Sequence, residues 1–338
     1  MKITDLSYEE ITIPLKKPFV ISYGTQRSYT GVIVKIATDE GIFGLGEAPV
    51  SPHITGDTIK SIMGALDIFS HLLKGQNPLH IPRLMNLVNS SILHNCSAKK
   101  AVDNALYDIF SQKAGIPLRD MLGAAKDRLE TSLTISIQNR KDSLREAEEL
   151  LEMGAKVIKV KIGLSPKEDI DRVKALCTNF GVPLRLDANG GYDLKEAIYV
   201  LRELEGLNIQ FIEQPVKYDL YSDLAEIRRR TMIPVMADES VKTASDLLRV
   251  IDDVDMVNIK LAKSGGIHEA IIMANILKKK NKKFMVGCMI ETKLSISAGL
   301  AFALGTGADY IDLDGFIDLK NQIHDELVIL KDGYLSIP

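Results

Sequence analysis

The sequence predicts an α/β barrel preceded by a smaller α+β domain, and three observations indicate this. From residue 129 onward, short apolar runs alternate with amphipathic helical segments, a pattern typical of parallel strands joined by right-handed crossovers. The first 123 residues instead combine strands of alternating polarity with three helical patterns. No glycine-rich turn follows the first apolar run of the repeat, which disfavours the alternative of a doubly wound open sheet.

Residues 1–123 are predicted to form the α+β unit. Three stretches alternate between apolar and polar residues and predict an antiparallel sheet: 3–14, 30–37 and 42–48. Helical patterns follow at 57–74, 81–90 and 97–114. The third of these begins at Ser97, which predicts an N-cap, and ends at Gly115, which predicts a C-terminal stop.

Residues 124–314 are predicted to form the barrel, since one strand and one helix recur about every 25 residues. The predicted strands are TSLTIS, VIKVK, PLRLD, IQFIE, IPVMA, MVNIK, FMVGC and DYIDL. The tail, residues 315–338, leaves this repeat, and we expect it to return and complete the first domain.

Composition excludes several classes of protein. The 338 residues carry a net charge of −3 with scattered basic residues, so no nucleic-acid partner is expected. No apolar stretch of about 18 residues predicts a membrane span. The 3 cysteines are far apart, which argues against disulfides and zinc and favours a cytoplasmic protein. Association into a homo-oligomer stays open.

Three acidic residues end successive predicted strands: Asp187, Glu213 and Asp238. A single carboxylate at such a position is commonly a helix N-cap. Three on neighbouring strands are expected to surround one point, because the carboxyl ends of barrel strands meet at one rim. Oxygen ligands without histidine or cysteine suit Mg²⁺. We therefore predict a magnesium site.

Two lysines, Lys161 and Lys260, end the second and sixth predicted strands, which lie opposite each other in an eight-stranded barrel. One base on each side of a carbon suits removal of a proton from one face and its return to the other. Mg²⁺ on a substrate carboxylate would stabilise the resulting ene-diolate. Lys159 and the metal are expected to lower the pKa of the bases. Lys263 is a rival for Lys260.

Five segments together resemble the muconate-lactonizing subgroup of the enolase superfamily: KVKIG, RLDANGGY, FIEQP, MADES and NIKLAKSGG. The resemblance covers essentially the whole chain. It implies a capping domain over a modified (β/α)8 barrel of the (β/α)7β type. It also implies that Lys161 and Lys260 are the acid/base pair, that the three acids hold Mg²⁺, and that Lys159 binds the substrate carboxylate.

The segment YIDLDG narrows the range of possible substrates. Asp312 and Asp314 lie on one side of the last predicted strand, where they suit a cationic group better than a second metal or a loop cap. This pair is similar to the one with which dipeptide epimerases bind the substrate ammonium group. The resemblance then implies that Thr134, Cys288 and Ile290 line the dipeptide site. No histidine is placed to activate Cys288 as a nucleophile.

One departure from the family matters for specificity. Epimerases of L-Ala-D/L-Glu carry an arginine in a capping loop, whereas the corresponding position here is near Gly24 and only Arg27 is close. A neutral or hydrophobic C-terminal residue is therefore favoured, and the loops near 19–27 and 50–57 are expected to decide it. The alternatives are an o-succinylbenzoate synthase or muconate cycloisomerase, whose substrates lack an ammonium group, and a non-catalytic metal-binding protein.

Overall fold

The computed structural model describes residues 1–338. The N-terminal part is a three-stranded antiparallel sheet followed by helices, as the sequence predicts. The strands are β1 (Ile3–Ile21), β2 (Gly24–Thr38) and β3 (Phe43–Pro49). The helices are α1 (Ile59–Leu73), α2 (Ile81–Ser91), α3 (Cys96–Ala114) and a short α4 (Leu118–Met121).

Two details of this part differ from the prediction. The first two strands continue toward each other into a hairpin, where Val20 pairs with Thr25, so most of the expected loop 19–27 is extended strand. The third helix starts at Cys96 rather than after a capping serine. The carboxylate of Asp57 accepts a hydrogen bond from the backbone N–H of Ser97 at 2.9 Å, so a residue remote in sequence caps the helix.

A parallel sheet of eight strands in chain order forms the second part. A strand of two residues, β4 (Leu129–Glu130), precedes this sheet in the chain and is not part of it. The strands of the sheet are β5 (Leu133–Ile135), β6 (Ile158–Lys161), β7 (Leu184–Asp187), β8 (Ile209–Glu213), β9 (Val235–Ala237), β10 (Met256–Lys260), β11 (Lys283–Gly287) and β12 (Tyr310–Asp312). A parallel bridge between Thr131 and Ile311 joins the two ends of the sheet, which closes the barrel.

Each of the first seven barrel strands is followed by helix, and the eighth is followed by no α-helix. The helices are α5 (Arg140–Glu152), α6 (Pro166–Asn179), α7 (Leu194–Glu203), α8 (Tyr221–Arg230), α9 (Ala244–Val250), α10 (Leu261–Ser264), α11 (Ile267–Lys279) and α12 (Lys293–Thr306). The predicted (β/α)7β form is therefore confirmed. None of the helices combines the length and apolar character that a membrane span requires.

Side chains alternate along the barrel strands as the sequence predicts. Ile158 and Val160 of β6 belong to the core between strands and helices, whereas Lys159 and Lys161 line a cavity at the barrel mouth. Below that mouth the barrel interior is filled by side chains, including the ring of Phe211 and the guanidinium of Arg185, whose Cζ lies 5.6 Å from the ring centroid. Chemistry is therefore confined to one end of the barrel.

The C-terminal tail contacts both parts of the molecule. The backbone N–H of Lys16 donates to the carbonyl of Asp318 at 2.8 Å, so the tail first follows β1. A 3₁₀ turn (Asp325–Leu327) then leads to β13 (Ile329–Lys331) and β14 (Tyr334–Ser336), and β14 pairs with β4. The tail thus ties the N-terminal sheet to the segment that opens the barrel.

Buried charges join the N-terminal part to the barrel, and we call Glu47, Lys100 and Glu291 the interface network. Lys100 of α3 donates to Glu291 Oε2 at 2.9 Å. Glu47 of β3 accepts hydrogen bonds from the backbone N–H groups of Thr292 at 2.9 Å and Ser295 at 3.1 Å. The carboxylate therefore caps α12 from the other domain, in the position where an anion is most stabilising.

The sheet and α3 meet without intervening side chains. A Cβ atom added to Gly44 would lie 2.0 Å from the carbonyl oxygen of Ala105, and one added to Gly46 would lie 1.9 Å from that of Ala101. Only glycine therefore permits β3 to pack at this distance from α3. The close contact fixes α3, which carries Lys100, relative to the sheet.

Candidate active site

A cavity of about 610 Å³ lies between the barrel mouth and the N-terminal sheet. This volume is within the usual range for small-molecule sites. The N-terminal part contributes the hairpin and the segment after β3, including Phe19, Ile21, Tyr23, His53 and Ile54. The barrel contributes residues at the carboxyl ends of its strands, including Lys159, Lys161, Lys260 and Asp312. The site is therefore shared between both parts of the chain.

The three predicted metal ligands are at the carboxyl ends of adjacent strands. Asp187 and Glu213 are the last residues of β7 and β8 and are direct partners in the sheet register. Asp238 directly follows β9. All three side chains are completely buried. The strand alternation thus places three carboxylates around the barrel axis, as the sequence predicts.

Lys159 lies at the centre of these carboxylates. Its Nζ is 2.9 Å from Asp187 Oδ2, 2.7 Å from Glu213 Oε2 and 2.6 Å from Asp312 Oδ2. Burial alone would lower the pKa of Lys159, but Asp187 and its acidic neighbours raise it well above the ordinary value. Lys159 is therefore a cation in this structure, and its charge offsets the mutual repulsion of the acids.

The two predicted bases are four strands apart in the barrel and line the same cavity. Lys161 Nζ is 2.6 Å from Asp187 Oδ2, and Lys260 Nζ is 2.8 Å from Asp238 Oδ2. The rival, Lys263, does not line the cavity, and its Nζ donates to the backbone carbonyl of Asn258 at 3.0 Å and to Asp238. The geometry therefore favours Lys260 over Lys263 as a group that meets substrate.

The charges set the pKa values in opposite directions. Burial, and then the charge of Asp187, raise the pKa of Glu213 to about 8. Burial also opposes ionisation of Asp238, but Lys260 and Lys263 hold its pKa below the ordinary value. For Lys260, burial lowers the pKa, but Asp238 and Glu213 raise it well above normal. Nearby carboxylates outweigh the repulsion from Lys159.

The donor set fits a hard divalent cation. All its ligand atoms are carboxylate oxygens, and two of them, Glu213 Oε2 and Asp238 Oδ2, accept no well-directed hydrogen bond although both are buried. Ammonium groups lie between the acids, so the acids do not form a preassembled cage of three or more ligands. These two oxygens contact the ammonium groups of Lys159 and Lys260 without a directed hydrogen bond. They are therefore suited to bind Mg²⁺ in place of the ammonium groups.

The predicted substrate residues line the same cavity. Thr134, Cys288, Ile290, Asp312 and Asp314 all line it. Asp312 is engaged by Lys159 and by the hydroxyl of Ser132, which donates to Oδ1 at 2.7 Å. Asp314 accepts the backbone N–H of Thr134 at 2.7 Å and makes no ion pair. Burial and the charge of Asp312 raise the pKa of Asp314 to about 7.

Cys288 is not set up as a nucleophile. Its Sγ lies 3.3 Å from the backbone carbonyl oxygen of Asp312, toward which the thiol points. Burial, followed by the charge of Glu291, raises the pKa of Cys288 well above its ordinary value. A thiol that is this hard to ionise is unreactive.

Three residues at the site escaped the sequence reasoning: Tyr23, Asn189 and Glu239. Tyr23 stacks against His53 with ring centroids 5.4 Å apart above the cavity. Asn189 lies two residues after Asp187 and has a φ of +43°, which is an uncommon backbone conformation that often marks functional sites. Glu239 directly follows Asp238, and burial, then Asp238, raises its pKa to about 7. For Asn189 and Glu239, the signal available in the sequence was their position next to the predicted metal ligands Asp187 and Asp238.

Comparison with known families identifies the class. The family described as mandelate racemase / muconate lactonizing enzyme, N-terminal domain, matches residues 4–123, and the family described as enolase C-terminal domain-like matches residues 142–338. The chain belongs to this family, and the resemblance noted in the sequence is confirmed.

Individual relatives are similar over nearly the full length. The L-Ala-D/L-Glu epimerase of Clostridium acetobutylicum is 38% identical over 93% of this chain and 90% of its own. A substrate-liganded L-Ala-D/L-Glu epimerase of Bacillus subtilis has a TM-score of 0.97 and 36% identity, covering 100% of this chain and 97% of its own. A dipeptide epimerase of Enterococcus faecalis complexed with Mg and L-Leu-L-Tyr has a TM-score of 0.97 and 33% identity, covering 100% and 98%.

Proposed function

We propose that this protein is a Mg²⁺-dependent dipeptide epimerase that inverts the α-carbon of the C-terminal residue. The observation that carries the proposal is that Lys161 and Lys260 approach one cavity from opposite strands of the barrel. Two bases on opposite sides of a carbon permit removal and return of its proton with inversion. The relatives that resemble this chain throughout its length carry the names of epimerases, which supports the same activity.

In this mechanism each lysine acts as base toward one epimer and as acid toward the other. The neutral amine of Lys161 takes the α-proton from one face, and the ammonium of Lys260 returns a proton to the opposite face. The roles reverse for the other epimer. Lys159 would hold the substrate carboxylate, because it is a buried cation that lines the same cavity as the two bases. Such general acid–base steps contribute roughly 10²–10⁴-fold each.

Asp187, Glu213 and Asp238 would hold the Mg²⁺. When bound there, the ion would stabilise the negative charge that develops on the substrate carboxylate and would compete with the lysines for carboxylate oxygens, which lowers the lysine pKa values.

The dipeptide's ammonium group would bind at Asp314 and Asp312. Asp314 makes no ion pair with a protein cation, and it is half-buried beside a second carboxylate. A substrate cation would offset the repulsion between the two acids. Thr134, Cys288 and Ile290 complete this end of the cavity.

We further propose that neutral or hydrophobic C-terminal residues are preferred. No arginine lines the cavity, and the exposed Arg27 is outside it. The hairpin and the segment after β3 instead present apolar surface from Phe19, Ile21, Tyr23 and Ile54. A glutamate side chain would lack a guanidinium partner on this wall. The two lysines on this side, Lys16 and Lys17, already donate to the carbonyl of Ile317 and to Glu146. The glutamate carboxylate would therefore lose hydration without an unengaged cation in exchange.

The division of labour in the chain follows from the same cavity. We propose that residues 1–123, completed by 315–338, act as the cap and that 124–314 carry the chemistry. The cap supplies the apolar wall, while both lysines and all three acids belong to the barrel. We also propose that the enzyme acts on free dipeptides in the cytoplasm, without a nucleic-acid or membrane partner, since its charges are scattered and its cysteines are unpaired.

The test is isotope exchange. The purified protein is incubated with Mg²⁺ in D₂O and a library of dipeptides, and mass spectrometry with NMR locates any deuterium. We expect deuterium at the α-carbon of the C-terminal residue, together with formation of the second epimer. Lys161→Ala and Lys260→Ala should each abolish epimerisation, whereas Lys278→Ala, which changes an exposed lysine on α11, should leave it unchanged.

Two results would overturn the proposal. Absence of α-deuterium from every dipeptide, together with formation of succinylbenzoate or turnover of muconate, would assign the site to those alternatives. Exchange that persists in both lysine variants would mean that other groups move the proton.

A further inference from the structure

A chain of two hydrogen bonds extends from one of the two bases into the barrel wall. Lys161 Nζ donates to Asn189 Oδ1 at 3.1 Å, and Asn189 Nδ2 donates to Glu239 Oε1 at 2.9 Å. All three residues are at least nine-tenths buried. We propose that Asn189 and Glu239 are positioning residues that orient Lys161, and that they control proton transfer on one face of the substrate. This inference rests on the proposed epimerase function.

The argument depends on the asymmetry of an amide. Asparagine has an acceptor end and a donor end, whereas the carboxyl group of Glu239 offers an acceptor oxygen in either protonation state. Glu239 therefore fixes the NH₂ end of Asn189 toward itself and leaves the carbonyl end toward the ammonium of Lys161. If the amide turned over, its NH₂ group and the lysine ammonium would face each other as two donors.

The backbone at Asn189 is also held in place. The N–H of Asn189 donates to Asp187 Oδ1 at 3.0 Å, and its carbonyl accepts the hydroxyl of Ser22 at 3.1 Å. The position of the amide is therefore set by the backbone, and its rotation is set by Glu239. The contribution of Glu239 is therefore to fix which end of the Asn189 amide faces Lys161.

No equivalent chain supports the second base. Lys260 contacts Asp238 Oδ2 at 2.8 Å, and no asparagine or glutamine side chain donates to or accepts from it in the hydrogen-bond network. Loss of Glu239 should consequently affect Lys161 and spare Lys260. A displacement of a catalytic group by about 1 Å can cost about 10²-fold in rate, so the effect is measurable.

The two epimers separate this effect from general damage. Inversion needs both lysines, so its rate falls in both directions. Exchange of the α-proton with solvent without inversion needs only the lysine that removes that proton. A variant impaired at Lys161 should therefore still exchange the epimer on which Lys260 acts.

Glu239→Gln keeps an acceptor oxygen for Asn189, so it is the conservative control and should stay close to wild type. The experiment compares Glu239→Leu and Asn189→Leu with wild type and with Lys161→Ala, using the L,L and L,D forms of a dipeptide that wild type epimerises, in D₂O with saturating Mg²⁺. We expect both variants to lose about 10–100-fold in exchange of the same epimer that Lys161→Ala fails to exchange. Exchange of the other epimer should change by less than about threefold. Mg²⁺ binding, measured by calorimetry on the same proteins, should remain.

Equal losses for both epimers, or a loss confined to the epimer of Lys260, would overturn the inference. A crystal structure of each variant gives a readout that requires no substrate. We expect Lys161 Nζ to leave its position beside Asn189 in Glu239→Leu, and an unmoved lysine would also overturn the inference. Failure of wild type to exchange any dipeptide would instead reject the proposed function, while the crystallographic result would still judge the positioning role.

Discussion

Two buried charge networks in this protein have similar composition and different character. The catalytic network consists of the barrel lysines Lys159, Lys161 and Lys260 with their acids. The interface network consists of Glu47, Lys100 and Glu291. In the interface network, every carboxylate oxygen accepts at least one hydrogen bond from the protein. In the catalytic network, Glu213 Oε2 and Asp238 Oδ2 do not accept one.

The difference shows how a buried ionic site for chemistry can be distinguished from one for structure. A network whose groups are all satisfied by protein partners has no capacity left for a ligand, and it stabilises one arrangement of the domains. A network with unsatisfied oxygens beside a cavity retains capacity for a metal and a substrate. The catalytic network faces such a cavity. In the interface network only Glu47 borders a cavity, and both of its oxygens already accept hydrogen bonds.

The largest predicted effect is on the catalytic network. Lys260→Ala should lower epimerisation by roughly 10²–10⁴-fold or more, because one of the two proton-transfer groups is lost. The melting temperature should change little, since Lys263 still pairs with Asp238. Initial rates by polarimetry and a thermal melt measure both quantities. A variant that unfolds would show that the catalytic network also holds the fold.

The next effect concerns the interface network. Lys100→Met should lower the free energy of unfolding by about 3–5 kcal/mol, because Glu291 would stay buried without its cation. Urea denaturation followed by circular dichroism measures the change. The double variant Lys100→Met/Glu291→Gln serves as control and should recover part of the loss. Unchanged stability in Lys100→Met would place this ion pair among those that contribute nothing.

Mg²⁺ binding should raise the free energy of unfolding through the catalytic network and not through the interface network. At 100-fold excess over its Kd, Mg²⁺ should stabilise the wild type by about 2.7 kcal/mol. Glu213→Gln should abolish this gain, because an amide supplies one neutral oxygen instead of an anionic carboxylate. Thermal melts with and without Mg²⁺ measure it, and Glu291→Gln is the matched control that should keep the Mg²⁺ response. Retention of the gain in Glu213→Gln would remove Glu213 from the metal site.

The last effect, the smallest per pH unit, is a pH dependence of stability at the interface, from Asp103 on α3. Burial raises its pKa to about 7, above the unfolded value of about 3.9, although the backbone N–H of His268 donates to it at 3.1 Å. The folded state therefore keeps a proton that the unfolded state releases. Stability from this group is complete below about pH 4 and is lost as the pH rises to about 7.

Asp103→Asn should remove this contribution. The free energy of unfolding of the wild type should fall with pH by at most about 1.4 kcal/mol per unit more steeply than that of the variant between pH 4 and 7. Denaturation at a series of pH values measures the two slopes. Parallel slopes would show that Asp103 is ionised in the folded protein throughout this range.

The barrel and its charged rim were predictable because they follow from local periodicity. Alternation within β6 placed Lys159 and Lys161 on the inner face, and the repeat of about 25 residues placed three acids on neighbouring strands. Both signals are contained in short stretches of sequence. The closing bridge between Thr131 and Ile311 joins residues far apart in sequence, and only the strand count anticipated it.

Other features were not predictable because they depend on partners that meet only in three dimensions. The periodicity of α3 indicated an apolar face, but its polar residues Lys100 and Asp103 are also buried, since the barrel covers them. The role of Glu239 depends on an amide contributed by another strand's loop. The direction of the pKa shift at Lys260 depends on the balance of four surrounding charges, which spacing alone does not give.

The glycine contacts of β3 with α3 have a consequence for how this molecule can change. Because the backbones of β3 and α3 are in contact at Gly44 and Gly46, the sheet is fixed there, while the hairpin of β1 and β2 extends over the cavity. Residues at the hairpin tip can be exchanged without disturbing the contact of β3 with α3, except Ser22, whose hydroxyl donates to the backbone carbonyl of Asn189. A different dipeptide specificity is therefore accessible through substitutions at the hairpin tip, without any change to the residues that transfer the proton.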